Sequence, residues 1–210
     1  MRNVRQEILD TAQNLFKQHG YDGTTFQMIA DELGITRAGV VYHFKNKHLI
    51  LHTIFENYFD LIRSFVRENL TEGFNYYLYY CVFHIYTSAK IIKNENIYRL
   101  FYHKDYVDSM EREKLWGVEE SYRLITDDFN KDFTKEELRL ASIMDRGARF
   151  RLFKEFAEGD GILTVEKYGY YRVYLMGVLS RLDEATIEKN IRRAFEFVES
   201  HSPPAIPLFE

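Results

Sequence analysis

Between Thr24 and Lys47 the chain collects side chains suited to the edges of bases and to phosphates. Arg37 carries a planar fork of donors that matches the two major-groove acceptors of a guanine. Thr36 adds a hydroxyl. Ala38 and Gly39 are small enough to let a backbone lie close to base edges, where thymine methyls are natural contacts. Tyr42 adds an aromatic ring with a polar tip, and Thr25, His43 and Lys47 are placed to bind phosphate oxygens. From Gly34 to His48 the only charged residues are Arg37, Lys45 and Lys47.

Such side chains are useful only on a rigid support. A helix-turn-helix needs a small residue where its helices cross, a residue tolerant of positive φ in the turn, and a polar second helix. Ala30, Gly34 and Thr36 to His43 fill these places. Upstream, Val4, Ile8, Ala12, Leu15 and Phe16 fall on one face of a helix from about Val4 to His19, with Gly20 as its left-handed cap. Thr24 or Thr25 caps the next helix, and Thr24 with Gln27 has the capping-box spacing. Ile29, Leu33, Val40 and Phe44 face the core.

The segment resembles the amino-terminal DNA-binding domain of TetR-family repressors. Thr24-Thr25, Ile29-Ala30, Gly34-Ile35-Thr36, His43-Phe44 and Lys47 stand at the family's spacing. The departure is Val40-Val41-Tyr42, where Leu-Tyr-x is usual. The motif covers about residues 4–50. By resemblance, Lys47 is the phosphate lysine, the partner is a near-palindromic double-stranded DNA operator, and the last two helices of each subunit build a homodimer.

Composition agrees with this. A chain of 210 residues, 46% apolar and 29% charged, reads as a globular protein. Its three prolines, Pro203, Pro204 and Pro207, leave the body free for long helices. One cysteine, Cys81, excludes an internal disulfide framework, and the charged start shows no signal peptide, so a cytoplasmic location is expected. The net charge of −4 hides a local basic patch, because residues 1–48 hold six Lys/Arg and five Asp/Glu. Affinity for DNA is therefore expected to be modest and salt-dependent.

From Lys47 the pattern predicts a long helix to near Leu70, of two adjoining apolar stripes. Further helices are expected near 74–93, 96–107, 110–130, 135–158, 164–182 and 184–200. The fold class is all-α, with an amino-terminal three-helix helix-turn-helix domain plus a larger carboxy-terminal helical bundle, about nine or ten helices. The expected limits are 1–46 for the reading domain, 47–202 for the effector-binding and dimerisation domain, and 203–210 for a loosely ordered tail.

Residues 74–89 hold seven aromatic residues and no charge, which marks a buried helix. It is short for a membrane span and dense in tyrosine, so no membrane partner is expected. Buried tyrosine hydroxyls need partners, and a ligand is one source of them. The expected lining of an effector pocket is Phe59, Tyr80, Phe83, His84, Tyr102, Trp116, Met144, Phe150 and Tyr171. Its small-molecule ligand is apolar or aromatic. A cation attracted by aromatic faces and an acyl chain with its carboxylate on Arg146 or Arg149 are both open. The expected dimer residues are Tyr168, Leu175, Gly177, Val178 and Leu182 on the penultimate helix, with Ile187, Ile191 and Phe195 on the last.

Competing chemistry is thin. Cys81 and His84 have the spacing of a nucleophile and base on one helix, and His48 and His52 that of two zinc ligands. No further ligand stands nearby in sequence to complete a zinc set, and no phosphate loop or nucleophile elbow is present. No cofactor, metal or catalytic residue is expected. The reading is a sequence-specific transcriptional regulator, a repressor released by a small molecule. The alternatives are a helical protein–protein adaptor, or an enzyme built around Cys81 and His84.

Overall fold

The computed structural model describes residues 3–112, 117–158, 161–203, 205, 208 and 209. Among these are eleven helices and no strand. They are α1 (Val4–Gly23), α2 (Phe26–Leu33), α3 (Arg37–His43), α4 (Lys47–Asn69), α5 (Tyr76–Lys93) and α6 (Glu95–Phe101). These are followed by α7 (Lys104–Arg112), α8 (Val118–Asp128), α9 (Lys135–Glu158), α10 (Val165–Leu179) and α11 (Glu184–Ser200).

Caps set most of the helix starts. The side chains of Thr25, Thr36, Asn94, Thr164 and Asp183 each accept a backbone N–H of the first turn they precede. Such a cap contributes about 1 kcal/mol. Thr134 and Glu137 form a reciprocal capping box at α9, with Glu137 N–H on Thr134 Oγ1 at 3.2 Å and Thr134 N–H on Glu137 Oε2 at 2.8 Å. The expected box of Thr24 and Gln27 is absent. Thr24 is buried and its hydroxyl donates to Gly20 O at 2.8 Å, which leaves Thr25 to cap α2. Gly20 does take a positive φ of 72°, but with ψ 177° it makes a kink, and α1 runs on to Gly23.

The chain divides into two compact units. Unit 1 comprises Met1–Leu61, Asn94–Glu113 and Ala205–Glu210, and unit 2 comprises Ile62–Lys93 and Lys114–Pro204. The boundary after Leu61 falls inside α4.

In unit 1, Ile8, Leu9, Ala12 and Phe16 of α1 are buried with Ile29 and Ala30 of α2, Val40 of α3 and Phe44. The Phe55 ring on α4 meets Phe101 at 5.0 Å, Phe209 at 5.6 Å and Tyr106 at 5.9 Å. So α6, α7 and the chain end complete this core. Leu208 and Phe209 are buried, although their segment reads as a loose tail in sequence. The helix expected over 96–107 is two, broken at Tyr102-His103. No local breaker marks the spot. The His103 ring lies 4.8 Å from that of Tyr21, and its Nε2 lies 3.2 Å from Asp22 Oδ2.

In unit 2 the aromatic helix α5 is central. Tyr77, Leu78, Cys81 and Val82 are fully buried, as its lack of charge requires. Two of its tyrosine hydroxyls find carbonyls: Tyr77 donates to Val173 O at 3.0 Å and Tyr86 to His201 O at 2.6 Å. No helix is long and apolar enough to cross a membrane, among the described residues.

Candidate functional site

The turn between α2 and α3 is built by Gly34 at φ 63° and ψ 33°, a left-handed conformation that favours glycine. Its N–H and that of Ile35 close back onto α2, the latter on Ala30 O at 3.0 Å. Helix α3 then starts on Thr36, whose Oγ1 accepts from Gly39 N–H at 3.1 Å. Val40 and the following Phe44 fasten it to the core at 0% and 3% exposure. Its opposite face is open: Arg37, Ala38, Val41 and Tyr42 are exposed, followed by Lys45. Tyr42 is 85% exposed, its ring 5.2 Å from that of His43 in an edge-on pair. An exposed aromatic beside a guanidinium and an ammonium, with no acid on the helix, is a surface suited to a polyanion.

Of the predicted residues, Thr36, Arg37, Ala38, Gly39, Tyr42 and His43 are gathered on or at the start of one helix. Val41, 38% exposed, shares the face of Arg37 and Ala38 at helical spacing. It is missing from the sequence reading, which treats it only as a lost tyrosine. A Cβ at Gly39 would meet Thr36 Oγ1 at 3.5 Å and Ile35 Cδ1 at 3.8 Å, ordinary contacts. The chain itself therefore does not require glycine there.

Thr25 and Lys47 are placed differently. The Thr25 hydroxyl caps α2 by accepting Met28 N–H at 3.2 Å. The Lys47 ammonium donates to Tyr21 O and, at 3.0 Å, to Thr24 O, and lies 4.2 Å from the centre of the Tyr21 ring. Burial lowers its pKa, against the pull of Asp22 and Asp105. Burial, then Asp105 and Asp22, pushes the Tyr21 hydroxyl up to about 12. Lys47 thus ties the start of α4 to the end of α1 and to Thr24, which follows it. Asp22, His103 and Asp105 bring their ligand-type atoms within 4.8 Å of one another, the one such trio among the described residues, and His48 and His52 join none.

These features coincide with what the chain matches. Residues 8–54 fit the family of bacterial regulatory proteins described as tetR. Over that stretch the chain is similar to tetR-family regulators. Curated relatives include the probable acrEF/envCD operon repressor of Escherichia coli K12, 30% identical over 106 residues and 48% of each chain. Another is the icaADBC negative transcriptional regulator IcaR of Staphylococcus epidermidis, 33% identical over 72 residues, 34% of this chain and 39% of the relative. The chain spans about half the length of the acrEF/envCD relative it matches. Among solved structures, FadR of Thermus thermophilus in complex with lauroyl-CoA superposes with a TM-score of 0.54 at 17% identity, over 96% of this chain and 98% of that one. SmeT, the repressor of the Stenotrophomonas maltophilia multidrug efflux pump SmeDEF, gives 0.52 at 19% identity, over 83% and 88%. A SmeT–triclosan complex gives 0.55 at 16%, over 84% and 91%. At these identities the likeness is one of fold, and it runs through both units.

The predicted effector residues do not form one set. Phe59 and Tyr102 belong to unit 1. Trp116 lies outside the described residues. Met144, Phe150 and Tyr171 are surface residues of unit 2, at 53%, 48% and 49% exposure. Tyr80, Phe83 and His84 remain together on α5, the His84 ring 5.1 Å from Phe83 and 6.3 Å from Tyr80. Beside them lies a charged cluster in which sequence reading finds His84 and Arg149 and misses Asp145 and Arg172. Asp145 of α9, fully buried, accepts from Arg172 of α10 at 2.8 Å and from Arg149, one turn along, at 2.8 Å. Arg172 also reaches His84 Nε2 at 3.3 Å. Burial raises the Asp145 pKa, but Arg172 and Arg149 outweigh it and hold the carboxyl below its ordinary range. Burial, with Arg172, Arg149 and Arg63, pushes His84 well below the usual imidazole range, so the ring is neutral. Cys81 is buried and desolvation pushes its thiol up, which disfavours the thiolate a nucleophile needs.

The predicted dimer residues are also divided. Tyr168, Gly177, Leu182, Ile187 and Ile191 are buried within unit 2. Gly177 is the tight point: a Cβ there would lie 2.6 Å from Tyr77 Oη and 2.7 Å from Ile187 Cγ1 of the same chain. The close approach read from its glycine is intramolecular. Leu175 and Phe195 are half-buried and Val178 is exposed. Exposed apolar residues lie instead on α9 and α10: Leu140, Ile143, Met144 and Phe150 on the first, Tyr171 and Val178 on the second. Leu140, Ile143 and Met144 recur at three to four residues with Phe150 falling on the same face, and Tyr171 and Val178 stand two turns apart on one face.

Proposed function

We propose that the protein is a cytoplasmic, homodimeric, sequence-specific DNA-binding repressor, released from its operator when a small apolar or aromatic molecule binds unit 2. The observation that carries this is α3, a core-fastened helix whose open face holds Arg37, Ala38, Val41 and Tyr42 and no acid. In this reading Arg37, Ala38, Gly39, Val41 and Tyr42 meet base edges, while Thr25, Thr36, His43 and Lys45 bind phosphates. Lys47 acts as a positioning residue, because its ammonium bonds two carbonyls before α2. The names of the relatives support repression, and the bound molecules of the FadR and SmeT structures support a small-molecule effector.

Dimerisation is assigned to the exposed stripes of α9 and α10, in place of α10 and α11. Two reading heads then need half-sites spaced by whole turns of DNA, about 34–36 Å each. Release works by population shift: the effector prefers the form whose heads do not fit that spacing. A coupling of about 1–3 kcal/mol changes operator affinity roughly 5- to 150-fold.

The test is a mobility-shift assay with DNA from the chain's own upstream region, across a salt series. A specific, salt-sensitive shift is expected, and Arg37→Ala should weaken it by about 1–3 kcal/mol and relax preference at one base pair. No shift with any upstream fragment at low salt overturns the proposal.

A further inference from the structure

Three side chains of metal-ligating type converge in unit 1. Asp22 stands in the last turn of α1, His103 at the corner between α6 and α7, and Asp105 in the first turn of α7. Asp22 and His103 are 81 residues apart in sequence, so no spacing motif announces the group. One ligand-type atom from each lies within 4.8 Å of the other two. The closest pair, His103 Nε2 and Asp22 Oδ2, is 3.2 Å apart. Two atoms at that separation subtend an angle of about 100° at an ion held about 2.1 Å from each, between the octahedral and tetrahedral values.

The His103 ring is set for such a contact. Its centre lies 4.8 Å from that of the Tyr21 ring, and its other nitrogen, Nδ1, is buried with no hydrogen-bond partner among the described residues. Buried polar atoms without partners are few in folded proteins, and an ion or water at the group is among their causes. Nε2 is left as the nitrogen that faces the carboxylates. Asp22 and Asp105 point to one spot, since both carboxylates act on the Lys47 ammonium and on the Tyr21 hydroxyl. Carboxylates brought together repel each other unless a cation draws them in. An exposed Asp–His pair on its own contributes little to stability, and it gives Asp105 no role. Two ligands of one ion lie at most about 4.2 Å apart. The Asp22 side chain is 79% exposed and Asp105 is exposed, so both can turn through the remaining gap without disturbing the core.

We propose that Asp22, His103 and Asp105 bind one divalent transition-metal ion, of which Zn²⁺ is the representative. An imidazole nitrogen with two carboxylate oxygens suits Zn²⁺, Ni²⁺ or Co²⁺, whereas Mg²⁺ and Ca²⁺ take oxygen ligands and gain nothing from the ring. Water fills the other coordination positions, because the carboxylates open to solvent. The bound ion clips the end of α1 to the α6–α7 corner, at the stretch that Lys47 also holds through Tyr21 O. The site stands on residues of unit 1 alone and does not depend on an effector in unit 2.

The probe is Zn²⁺ itself, titrated calorimetrically into the untagged full-length protein after treatment with a chelator, with Mg²⁺ and Ca²⁺ as comparison ions. One Zn²⁺ per chain should bind with a micromolar Kd, and millimolar Mg²⁺ or Ca²⁺ should not compete. At about a hundredfold excess over Kd the ion shifts the folding equilibrium about 100-fold, which raises Tm by roughly 5–10 °C in a chain of this size. His103→Gln and Asp105→Asn should each lower the affinity at least about tenfold. Asp105→Asn changes an exposed position and should melt like wild type without metal, so its lost zinc shift reports ligation and not folding. A His48→Gln/His52→Gln double variant should bind Zn²⁺ as wild type does, because that pair joins no such trio. No zinc-dependent rise in Tm, binding that survives both His103→Gln and Asp105→Asn, binding lost in the double variant, or Mg²⁺ binding as tight as Zn²⁺ each overturns the inference.

Discussion

Replacing Gly177 by alanine is expected to destabilise the folded chain without altering its oligomeric state. The new methyl would lie 2.6 Å from Tyr77 Oη, 2.9 Å from Tyr77 Cζ and 2.7 Å from Ile187 Cγ1. Tyr77 has no room to withdraw, being fully buried, and its hydroxyl holds Val173 O at 3.0 Å. Overpacking a core by one methyl costs about 2 kcal/mol. A strained or broken tyrosine hydrogen bond adds about 1 kcal/mol, and the better helix propensity of alanine returns about 1 kcal/mol. The net is a loss of about 2 kcal/mol, which lowers Tm by about 4–8 °C in a chain of this size. Gly169 is the internal control, because a Cβ there meets only Ile85 Cγ1, at 4.0 Å. Gly169→Ala should therefore be neutral or gain up to about 1 kcal/mol. Thermal unfolding followed by circular dichroism gives both shifts, and sedimentation equilibrium gives the oligomer. An unchanged Tm for Gly177→Ala, or a variant that dissociates to monomers while keeping its Tm, would refute intramolecular packing at this glycine.

Three other perturbations follow the same logic. Ile143→Glu, on the exposed α9 stripe, should shift the protein to monomers in sedimentation at micromolar concentration with the helix content kept; a dimer as tight as wild type would move the interface elsewhere. Lys47→Met should lower stability by about 1–3 kcal/mol through the loss of two carbonyl partners, read as a lower Tm, and weaken binding to all DNA sequences alike. The slope of log affinity against log salt should stay as in wild type, and a fall of about one unit would make Lys47 a phosphate ligand. His84 titrates below its ordinary range when folded, so the unfolded chain takes up the proton first and stability falls as pH drops below about 6.5, by at most about 1.4 kcal/mol per unit. His84→Gln should flatten that part of the stability curve between pH 7 and pH 5, as read by denaturant melts, and identical slopes would contradict the assignment.

The reading head was legible because its signals are local. Gly34 must be left-handed, Thr36 must cap, and Val40 and Phe44 must recur at helical spacing on the buried side. Two adjacent threonines compete for the cap of α2, and a contact to Gly20 O, four residues back, decides between them. Periodicity alone separates a helix into faces but does not say what covers each face. That is why Gly177 and Ile187 read as a dimer seam while their burial is within one chain. The Arg172–Asp145 pair joins residues 27 apart on two helices, and nothing in either local sequence announces it. Met144, Phe150 and Tyr171 show the converse: an apolar residue type is compatible with a pocket, a core or an outer stripe.

The division of unit 1 into three separate stretches of chain bears on how such a protein can be cut and recombined. The backbone passes between the two units four times, after Leu61, Lys93, Glu113 and Pro204. An amino-terminal fragment ending at Leu61 would carry every residue of the reading helix. It would nevertheless expose Phe55 where Phe101, Tyr106 and Phe209 now cover it. A chimaera that borrows only the first sixty or so residues inherits an incomplete core, whereas one that also transplants 94–113 and the chain end inherits a whole one. The natural unit of exchange in this molecule is a set of three segments, and gene-level shuffling at a single breakpoint works against it.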